Sequence, residues 1–257
     1  MPRTLIFLLS LCMSCYASAA KVAIIMDDIG YRQSDINTLS LPVAVTFSIL
    51  PYTPLGQQIA QQAAQQQREI MLHMPMEADN GKYPGPGAVM ANMSAQSIQQ
   101  QLQLALNDLP QAVGLNNHMG SKVTQMPAAM QAMAEWLAKQ NLYFVDSRTT
   151  VRTRAEQAAR AKGIATLHRH VFLDNQLSEA EMQAQLRRLI ALAKKQNNAI
   201  AIAHPHPQTV AFLADVELRL RKHDIELVPV SQLFPPKQLV QQSHKPPAGD
   251  KVHATAR

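Results

Sequence analysis

Most residues that could do chemistry in this sequence stand directly behind short apolar segments. The first apolar segment, residues 22–26, ends in Asp27 and Asp28, two adjacent carboxylates. Later segments are followed by His73 with Glu77 close behind, by Asn116-Asn117-His118, by Asp146-Ser147-Arg148, by Asp174-Asn175, and by His204-Pro205-His206. This repeated placement predicts that side chains distant in sequence converge in the folded protein.

One Asp and two His side chains that leave coordination positions open are a common arrangement around a catalytic divalent metal. A second carboxylate beside such a site could serve as a base, and a further His as an acid. Both cysteines, Cys12 and Cys15, lie in the first 20 residues. The remaining chain can therefore hold a metal only through His, Asp, Glu or water. No Walker loop, GxSxG elbow, HExxH helix or CxxC pair indicates another chemistry.

Each of these signals also has a purely structural interpretation. Asp27 and Asp28 could form a turn between a strand and a helix, with an Asp cap. His73 could be a hydrogen-bonded core histidine. His118 follows two asparagines in a glycine-containing loop, which is less typical of a core. His204 and the nearby His206 flank a proline, which holds both in a rigid loop.

The pattern of the apolar segments is typical of a parallel β-sheet. Segments that are apolar throughout and alternate with amphipathic helices favour strands covered on both faces. Seven or eight such units predict an α/β fold, a distorted (β/α) barrel with about seven parallel strands, in preference to an open doubly wound sheet. The carboxyl ends of parallel strands share one rim, where barrels of this kind build their active sites.

The two ends of the chain differ from the body in composition. Residues 1–20 have a basic start, an apolar run around residues 5–9 and small residues at Ala17–Ala20, which predicts a cleaved secretory signal and export to the periplasm or envelope. Residues 21–235 form the predicted barrel domain, without a transmembrane segment. Residues 236–257 are polar and rich in Pro and Lys, and we expect a disordered tail. The formal charge of +6 is scattered, so no nucleic-acid partner is expected.

Taken in order along the chain, these motifs resemble the divergent branch of the polysaccharide deacetylase family. Residues 24–30, Ile-Ile-Met-Asp-Asp-Ile-Gly, look like the first motif of the family, and residues 67–77 like the region of its second. Residues 115–121 fall where the family carries an arginine-containing motif, with His118 in place of the arginine. Phe144–Ser147 and Ile202–His204 resemble the last two motifs. At the second motif, Glu77 stands where a second metal-binding histidine would be.

The resemblance implies a metal-dependent hydrolysis of an acetyl group on a carbohydrate. Asp27 would be the base, Asp28 and His73 metal ligands, and His204 the acid. His118 is added as a third ligand from its position alone. The implied metal is divalent, with zinc as the first candidate.

The remaining candidate residues are expected to support the metal ligands or to contact the substrate. Glu77 and His206 are candidate further ligands or partners of a ligand. Asp146 or Arg148 would orient His204 or the substrate, and Asn117 with Arg148 would contact the substrate.

Two other functions remain open on the sequence alone. The first is a non-catalytic carbohydrate-binding or scaffolding protein on a degenerate deacetylase fold, because the second and third motifs have both changed. The second is a phosphohydrolase with Asp27 as nucleophile, although the acid expected two residues later is replaced by Ile29. The glycan, the oligomeric state and any protein partner are not encoded in a recognisable motif.

Overall fold

A computed structural model describes residues 19–235 and shows one sheet of parallel strands with helices packed on its outer face. The strands are β1 Ala20–Ile29, β2 Thr46–Ile49, β3 Ile70–Met76, β4 Gly114–Met119, β5 Tyr143–Asp146, β6 Thr166–His168, β7 Val171–Phe172, β8 Asn198–Ala203 and β9 Ile225–Leu227. Their order in the sheet is β6-β5-β4-β3-β2-β1-β8-β7, with β9 paired to the start of β1.

Residues 19–235 contain seven α-helices, which lie between strands of the sheet. They are α1 Gly56–Gln65, α2 Ala95–Asp108, α3 Pro127–Gln140, α4 Ala155–Ala161, α5 Glu179–Gln196, α6 Pro207–Leu213 and α7 Val216–Arg221. Two of them begin with a side-chain cap, since Ser94 accepts from the backbone N–H of Ser97 at the start of α2, and Ser178 from that of Glu181 at the start of α5.

The strand β1 shows why the sheet is buried on both faces. Its apolar residues alternate between two clusters, because successive side chains of a strand point to opposite faces. Val22, Ile24 and Met26 pack with the helices in the larger cluster, whereas Ala23 and Ile25 belong to the smaller one inside the curved sheet. The smaller cluster also contains residues of the last segment of the domain, Val228, Val230, Leu233 and Phe234.

The curved sheet confirms the predicted α/β barrel-like fold. Its two terminal strands, β6 and β7, are consecutive in the chain and are joined by Arg169 and His170 alone. Within residues 19–235, β6 and β7 do not pair with each other, so the sheet is not closed by hydrogen bonds at this point and only the chain links its two terminal strands.

Some elements differ from the sequence prediction. The strand β6 was missed because its three residues are only partly apolar. The sequence predicts one helix over residues 208–222, whereas the structure has two, α6 and α7. The Phe212 carbonyl, which a continuous helix would pair with the Val216 N–H, accepts from the Arg219 guanidinium instead.

The predicted signal and tail fall largely outside the described residues, which exclude 1–18 and 236–257. Within residues 19–235, no helix has both the length and the apolar character needed to cross a membrane.

Candidate active site

The candidate active site lies where β1, β3, β4 and β8 end. These strands run parallel in one sheet, with β2 between β1 and β3, and in the β3–β4 pair His73 is opposite Asn116 and Pro75 is opposite His118. Parallel pairing therefore places the polar residues that follow each strand at the same edge of the sheet, as the sequence predicted.

A local distortion at the end of β1 brings both acidic residues to the same side. In a regular strand, Asp27 and Asp28 would point to opposite faces. Asp28 instead has a left-handed backbone with φ of 59°, and the pairing register of β1 shifts between Met26 and Ile29. As a result Asp28 Oδ1 lies 2.9 Å and Asp27 Oδ2 lies 3.7 Å from Nε2 of His73.

Three potential metal ligands meet at this point, namely Asp28, His73 and His118. One ligand atom from each lies within 4.8 Å of the other two. Oδ1 of Asp28 is 2.9 Å from Nε2 of His73 and 2.7 Å from Nδ1 of His118, and the two nitrogens are 3.3 Å apart. The His73 side chain is 2% exposed, but those of His118 and Asp28 are 22% and 35% exposed. The group can therefore be reached from solvent.

The buried amide of Asn116 fixes the orientation of the deepest ligand. Its Nδ2 donates to Oδ1 of Asp27 at 2.8 Å, so its Oδ1 faces Nδ1 of His73 at 2.7 Å and also accepts from Ser48 Oγ. An amide oxygen only accepts, so Nδ1 of His73 carries the proton in this arrangement. Nε2 is then the atom available to a metal, which is the usual way in which a metal-binding histidine is oriented.

The acidic groups differ in their tendency to ionise. Burial opposes the ionised form of Asp28, but hydrogen bonds from His118 and His73 outweigh it and hold the pKa of Asp28 well below its usual range. Burial raises the pKa of Asp27, against the lowering effect of His73 and His204. Burial would lower the pKa of His73, yet the charges of Asp27 and Asp28 raise it. Adjacent carboxylates with pKa values shifted in opposite directions suit different roles.

His204 stands beside this group and is held by Asp174. Nδ1 of His204 lies 2.9 Å from Oδ1 of Asp174, and Oδ2 accepts from the His204 backbone N–H at 2.6 Å and from Thr209 Oγ1 at 2.9 Å. Burial alone would lower the pKa of His204, but the hydrogen bond and charge of Asp174, together with Asp28 and Asp27, raise it to about 9.

A cavity of about 160 Å³ opens over these groups. Asp28, His118 and His204 line it together with Tyr31 and Arg32, and Asp35, Leu50, Pro205 and His206 complete its wall. The cavity brings two of the three potential ligands and the candidate acid into contact with the same small volume.

Two of the remaining predicted residues lie near the site without joining the ligand group. Glu77 accepts from the Ala91 N–H at 2.7 Å and pairs with Lys122, so its carboxylate is occupied by the loops that follow β3 and β4. His206 lines the cavity, with its ring centre 6.4 Å from that of His204. Neither belongs to the three-residue group.

The other predicted residues serve the neighbouring loops. Asp146 accepts from the Arg148 N–H, Thr153 Oγ1 and the Glu156 N–H, and the carboxylate that contacts the His204 ring is that of Asp174. The buried Asn117 donates to the Met119 carbonyl and accepts from the backbone N–H of Ser147. The Arg148 side chain pairs with Glu156. The predicted catalytic and substrate-binding roles of these three residues stay predictions.

Sequence reasoning assigned no role to Asn116 or Asp174, although both were noted at the ends of apolar segments. Their position at the ends of apolar segments could have identified them, because the carboxyl ends of parallel strands carry the hydrogen-bonding partners of a site as well as its ligands.

The donor set fits a catalytic divalent ion. One carboxylate and two imidazoles are a known zinc donor set, and zinc–nitrogen bonds of about 2.0–2.1 Å place two ligands of a tetrahedral ion about 3.3 Å apart. The separation of 3.3 Å between Nε2 of His73 and Nδ1 of His118 agrees with that value, whereas Asp28 Oδ1 lies at hydrogen-bonding distances of 2.9 and 2.7 Å from these two nitrogens. The exposed side of Asp28 and His118 leaves room for a further ligand such as water.

Comparison with known proteins gives a consistent result. A family model described as divergent polysaccharide deacetylase matches residues 24–234. The uncharacterized protein YibQ of Escherichia coli (strain K12) is 36% identical over 255 residues, which cover 95% of this chain and 80% of that protein. An uncharacterized protein of Haemophilus influenzae is 34% identical, over 96% of this chain and 91% of its own length.

Solved structures share the fold at lower sequence identity. The uncharacterized protein ATU2773 from Agrobacterium tumefaciens C58 is similar with a TM-score of 0.81 and 24% identity, over 85% of this chain and 91% of that one. A mutant of BA3943, described as a CE4 family pseudoenzyme with restored enzymatic activity, is similar with a TM-score of 0.52 and 14% identity, over 84% of this chain and 67% of that one.

Proposed function

Because the chain belongs to the divergent polysaccharide deacetylase family, we propose that it is a metal-dependent carbohydrate deacetylase that acts on a glycan of the periplasm or cell envelope after export. The observation that carries the proposal is the convergence of Asp28, His73 and His118, whose ligand atoms lie within 4.8 Å of one another. Export is proposed from the composition of residues 1–20.

The three converging residues would hold the metal, for which zinc is the first candidate. When bound, such an ion supplies Lewis-acid polarisation of an acetyl carbonyl and lowers the pKa of a bound water. The chain supports this assignment through Asn116, which keeps the proton of His73 on Nδ1 and so leaves Nε2 for coordination.

Proton transfer would be divided between Asp27 and His204. Asp27 would accept a proton from the attacking water, and its raised pKa brings its basicity closer to that of a general base at neutral pH. His204, with a pKa of about 9, is protonated at neutral pH and would donate that proton to the leaving nitrogen or oxygen of the sugar. Asp174 would keep the ring in place by its bond to Nδ1, so that Nε2 donates.

A carbohydrate substrate is also suggested by the tyrosines near the site. Tyr31 lines the cavity and is 49% exposed, and Tyr83 is 77% exposed. Burial, with smaller contributions from Tyr83 and Asp28, raises the pKa of Tyr31. Exposed tyrosine rings offer an apolar face and a hydroxyl group, and so can contact both the ring and the hydroxyl groups of a sugar.

The test is acetate release from N-acetylated and O-acetylated glycans, with the metal content of each protein measured by elemental analysis. We expect about one zinc per chain, hydrolysis that is lost with a chelator and restored by zinc, and an Asp27→Asn protein that keeps the metal but is inactive. Asp215→Asn, which changes a carboxylate at the start of α7 that pairs with Arg219, is the matched control. An active Asp27→Asn protein would remove Asp27 as the base.

The second candidate function is glycan binding without hydrolysis on the same fold. It is favoured by Glu77, which stands where the family has a second metal-binding histidine and is instead occupied by Lys122 and the Ala91 N–H. Glycan binding by a zinc-loaded protein that releases no acetate from any glycan tested would make this function the correct one.

A further inference from the structure

A second, larger pocket of about 730 Å³ lies beyond His204 and is lined by several basic residues. Arg148, Arg160 and Arg169 line it, together with Glu156 and His170. The Phe172 ring contacts one residue of each site, since it lies 3.7 Å from the Arg169 guanidinium carbon and 6.0 Å from the His204 ring, centre to centre.

The pocket has an excess of positive charge. Its three guanidinium groups are accompanied by a single carboxylate, Glu156, which accepts from both Arg148 and Arg160 at 2.8 Å. A hydrogen bond with His168 and those with the arginines outweigh partial burial and lower the pKa of Glu156 to about 2. Partial burial and the neighbouring cations lower the pKa of His170 to about 4, so His170 is neutral at pH 7.

Arg169 is held in place as a donor. Its Nε donates to the Ser147 carbonyl at 2.7 Å and its Nη2 to the Arg148 carbonyl at 2.9 Å, while its planar face rests on Phe172. Within residues 19–235, its Nη1 makes no hydrogen bond. A guanidinium fixed in this way can bind an oxyanion with little loss of side-chain freedom.

We propose that this pocket is an anion-binding subsite that takes a carboxylate or phosphate group of an acidic saccharide. The proposal rests on the proposed function and deepens it, because Phe172 places the subsite next to His204, where the acetyl group would be hydrolysed. An acidic residue of the glycan would occupy the arginine pocket while a neighbouring acetylated residue faces Asp28 and His118.

Binding is measured directly, by calorimetry on the zinc-loaded protein, with glucuronic acid, glucose 6-phosphate and neutral N-acetylglucosamine as probes. The test protein is the double variant Arg160→Gln and Arg169→Gln, and the matched control is Arg221→Gln on α7, where the arginine pairs with Glu217 outside the pocket. We expect the double variant to bind an acidic probe about tenfold more weakly or worse, since hydrogen bonds to charged groups are the strong ones. Its binding of the neutral sugar should not change.

Further measurements distinguish a loss of anion binding from misfolding of the variant and from recognition of a different ligand. Arg160→Lys keeps the charge and should retain most of the acidic-sugar affinity, and thermal melting reports whether the double variant is folded. Equal binding of acidic and neutral sugars by the wild type, or unchanged acidic-sugar binding by a folded double variant, would overturn the proposal. So would binding of inorganic phosphate as tightly as glucose 6-phosphate.

The outcomes also distinguish the two proposals. Acidic-sugar binding that depends on the arginines, without acetate release from any glycan, would refute the deacetylase and support the subsite. Equal rates of acetate release from neutral and acidic glycans would support the deacetylase and refute the subsite.

Discussion

Asp174 holds His204 at two points, with Oδ1 2.9 Å from the ring Nδ1 and Oδ2 accepting from the His204 backbone N–H at 2.6 Å. The same carboxylate accepts from Thr209 Oγ1, so it is anchored on α6 as well as on the His204 loop. Because Nδ1 is engaged by a carboxylate, Nε2 is the ring nitrogen left for the cavity. The position is that of a residue that orients a catalytic histidine.

Replacement of Asp174 by Asn should lower the pKa of His204 from about 9 towards or below 6.5, because it removes the main group that stabilises the imidazolium against burial. An NMR titration of the His204 ring measures this change directly. If His204 is the acid, the alkaline limb of the pH–rate profile should move to lower pH by the same amount.

The same substitution should change stability in a defined pH window. A folded pKa raised from 6.5 to about 9 stabilises the protein fully below pH 6.5, and this contribution is lost as the pH rises through 9. The difference in the free energy of unfolding between wild type and Asp174→Asn should therefore shrink above pH 7. Asp146→Asn is the matched control, since Asp146 bonds the Arg148 loop and α4. A His204 pKa that stays near 9 without Asp174 would contradict the assignment.

The sequence predicted the fold well because its strands are short, apolar and separated by helices. Parallel order and the shared rim follow from that pattern alone. The break between α6 and α7 could not be predicted, because it depends on the Arg219 guanidinium reaching the Phe212 carbonyl. A side chain that replaces a helical hydrogen bond leaves no periodic signal in sequence.

The metal-ligand group was predicted more completely than its supporting residues. Asp28 and His73 are the ligands that the family resemblance implies, His118 is expected from its position alone, and the structure brings the three side chains together. The sequence leads us to expect that Asp146 or Arg148 orients His204 or the substrate, and in the structure the carboxylate that contacts the His204 ring is that of Asp174. Asp146 and Asp174 both end apolar segments, so position alone could not separate them. The choice depends on β7 being the strand paired with β8, which only the three-dimensional pairing shows.

Arg68 is expected to be essential for stability and irrelevant to metal binding. Its guanidinium donates to the carbonyls of Pro42, Leu41 and Val45 at 2.7, 2.8 and 3.0 Å. Arg68→Met would leave these carbonyls without that donor, at about 1–3 kcal/mol for each one that stays buried. Urea unfolding should show a loss of at least about 3 kcal/mol, whereas Arg187→Met, on the exposed face of α5, should stay within about 0.5 kcal/mol. Reduced zinc content in a folded Arg68→Met protein would show that Arg68 affects metal binding as well as stability.

The backbone at Asp28 should make this position sensitive to side-chain shape as well as to charge. Its φ of 59° suits Asn but not a β-branched residue. Asp28→Asn should fold normally and lose tight zinc binding. Asp28→Val should also lose zinc binding, and its free energy of unfolding should be lower by about 1–2 kcal/mol because of the strained backbone. Asp224→Val is the control, since the exposed Asp224 has a φ of 58° and lies outside the site, so only stability should fall. Equal stability of the Asn and Val variants at position 28 would contradict this account.

Asn116 should control metal affinity without being a ligand. Asn116→Leu removes the acceptor for His73 Nδ1 and the donor to Asp27 at once, so the His73 ring is no longer fixed with Nε2 towards Asp28. Loss of such a partner lowers metal affinity by about 10–100-fold in known sites. We expect a loss of that size in a competitive zinc titration.

The matched control is the neighbouring Asn117, which is equally buried but bonds only the Met119 carbonyl and the Ser147 N–H. Asn117→Leu should reduce stability by about 1–3 kcal/mol, as expected for a buried polar group left without its partner, and leave zinc affinity unchanged. If both variants lose zinc equally, the effect comes from general loosening of β4. If only Asn116→Leu does, the hydrogen bond to His73 orients the ligand.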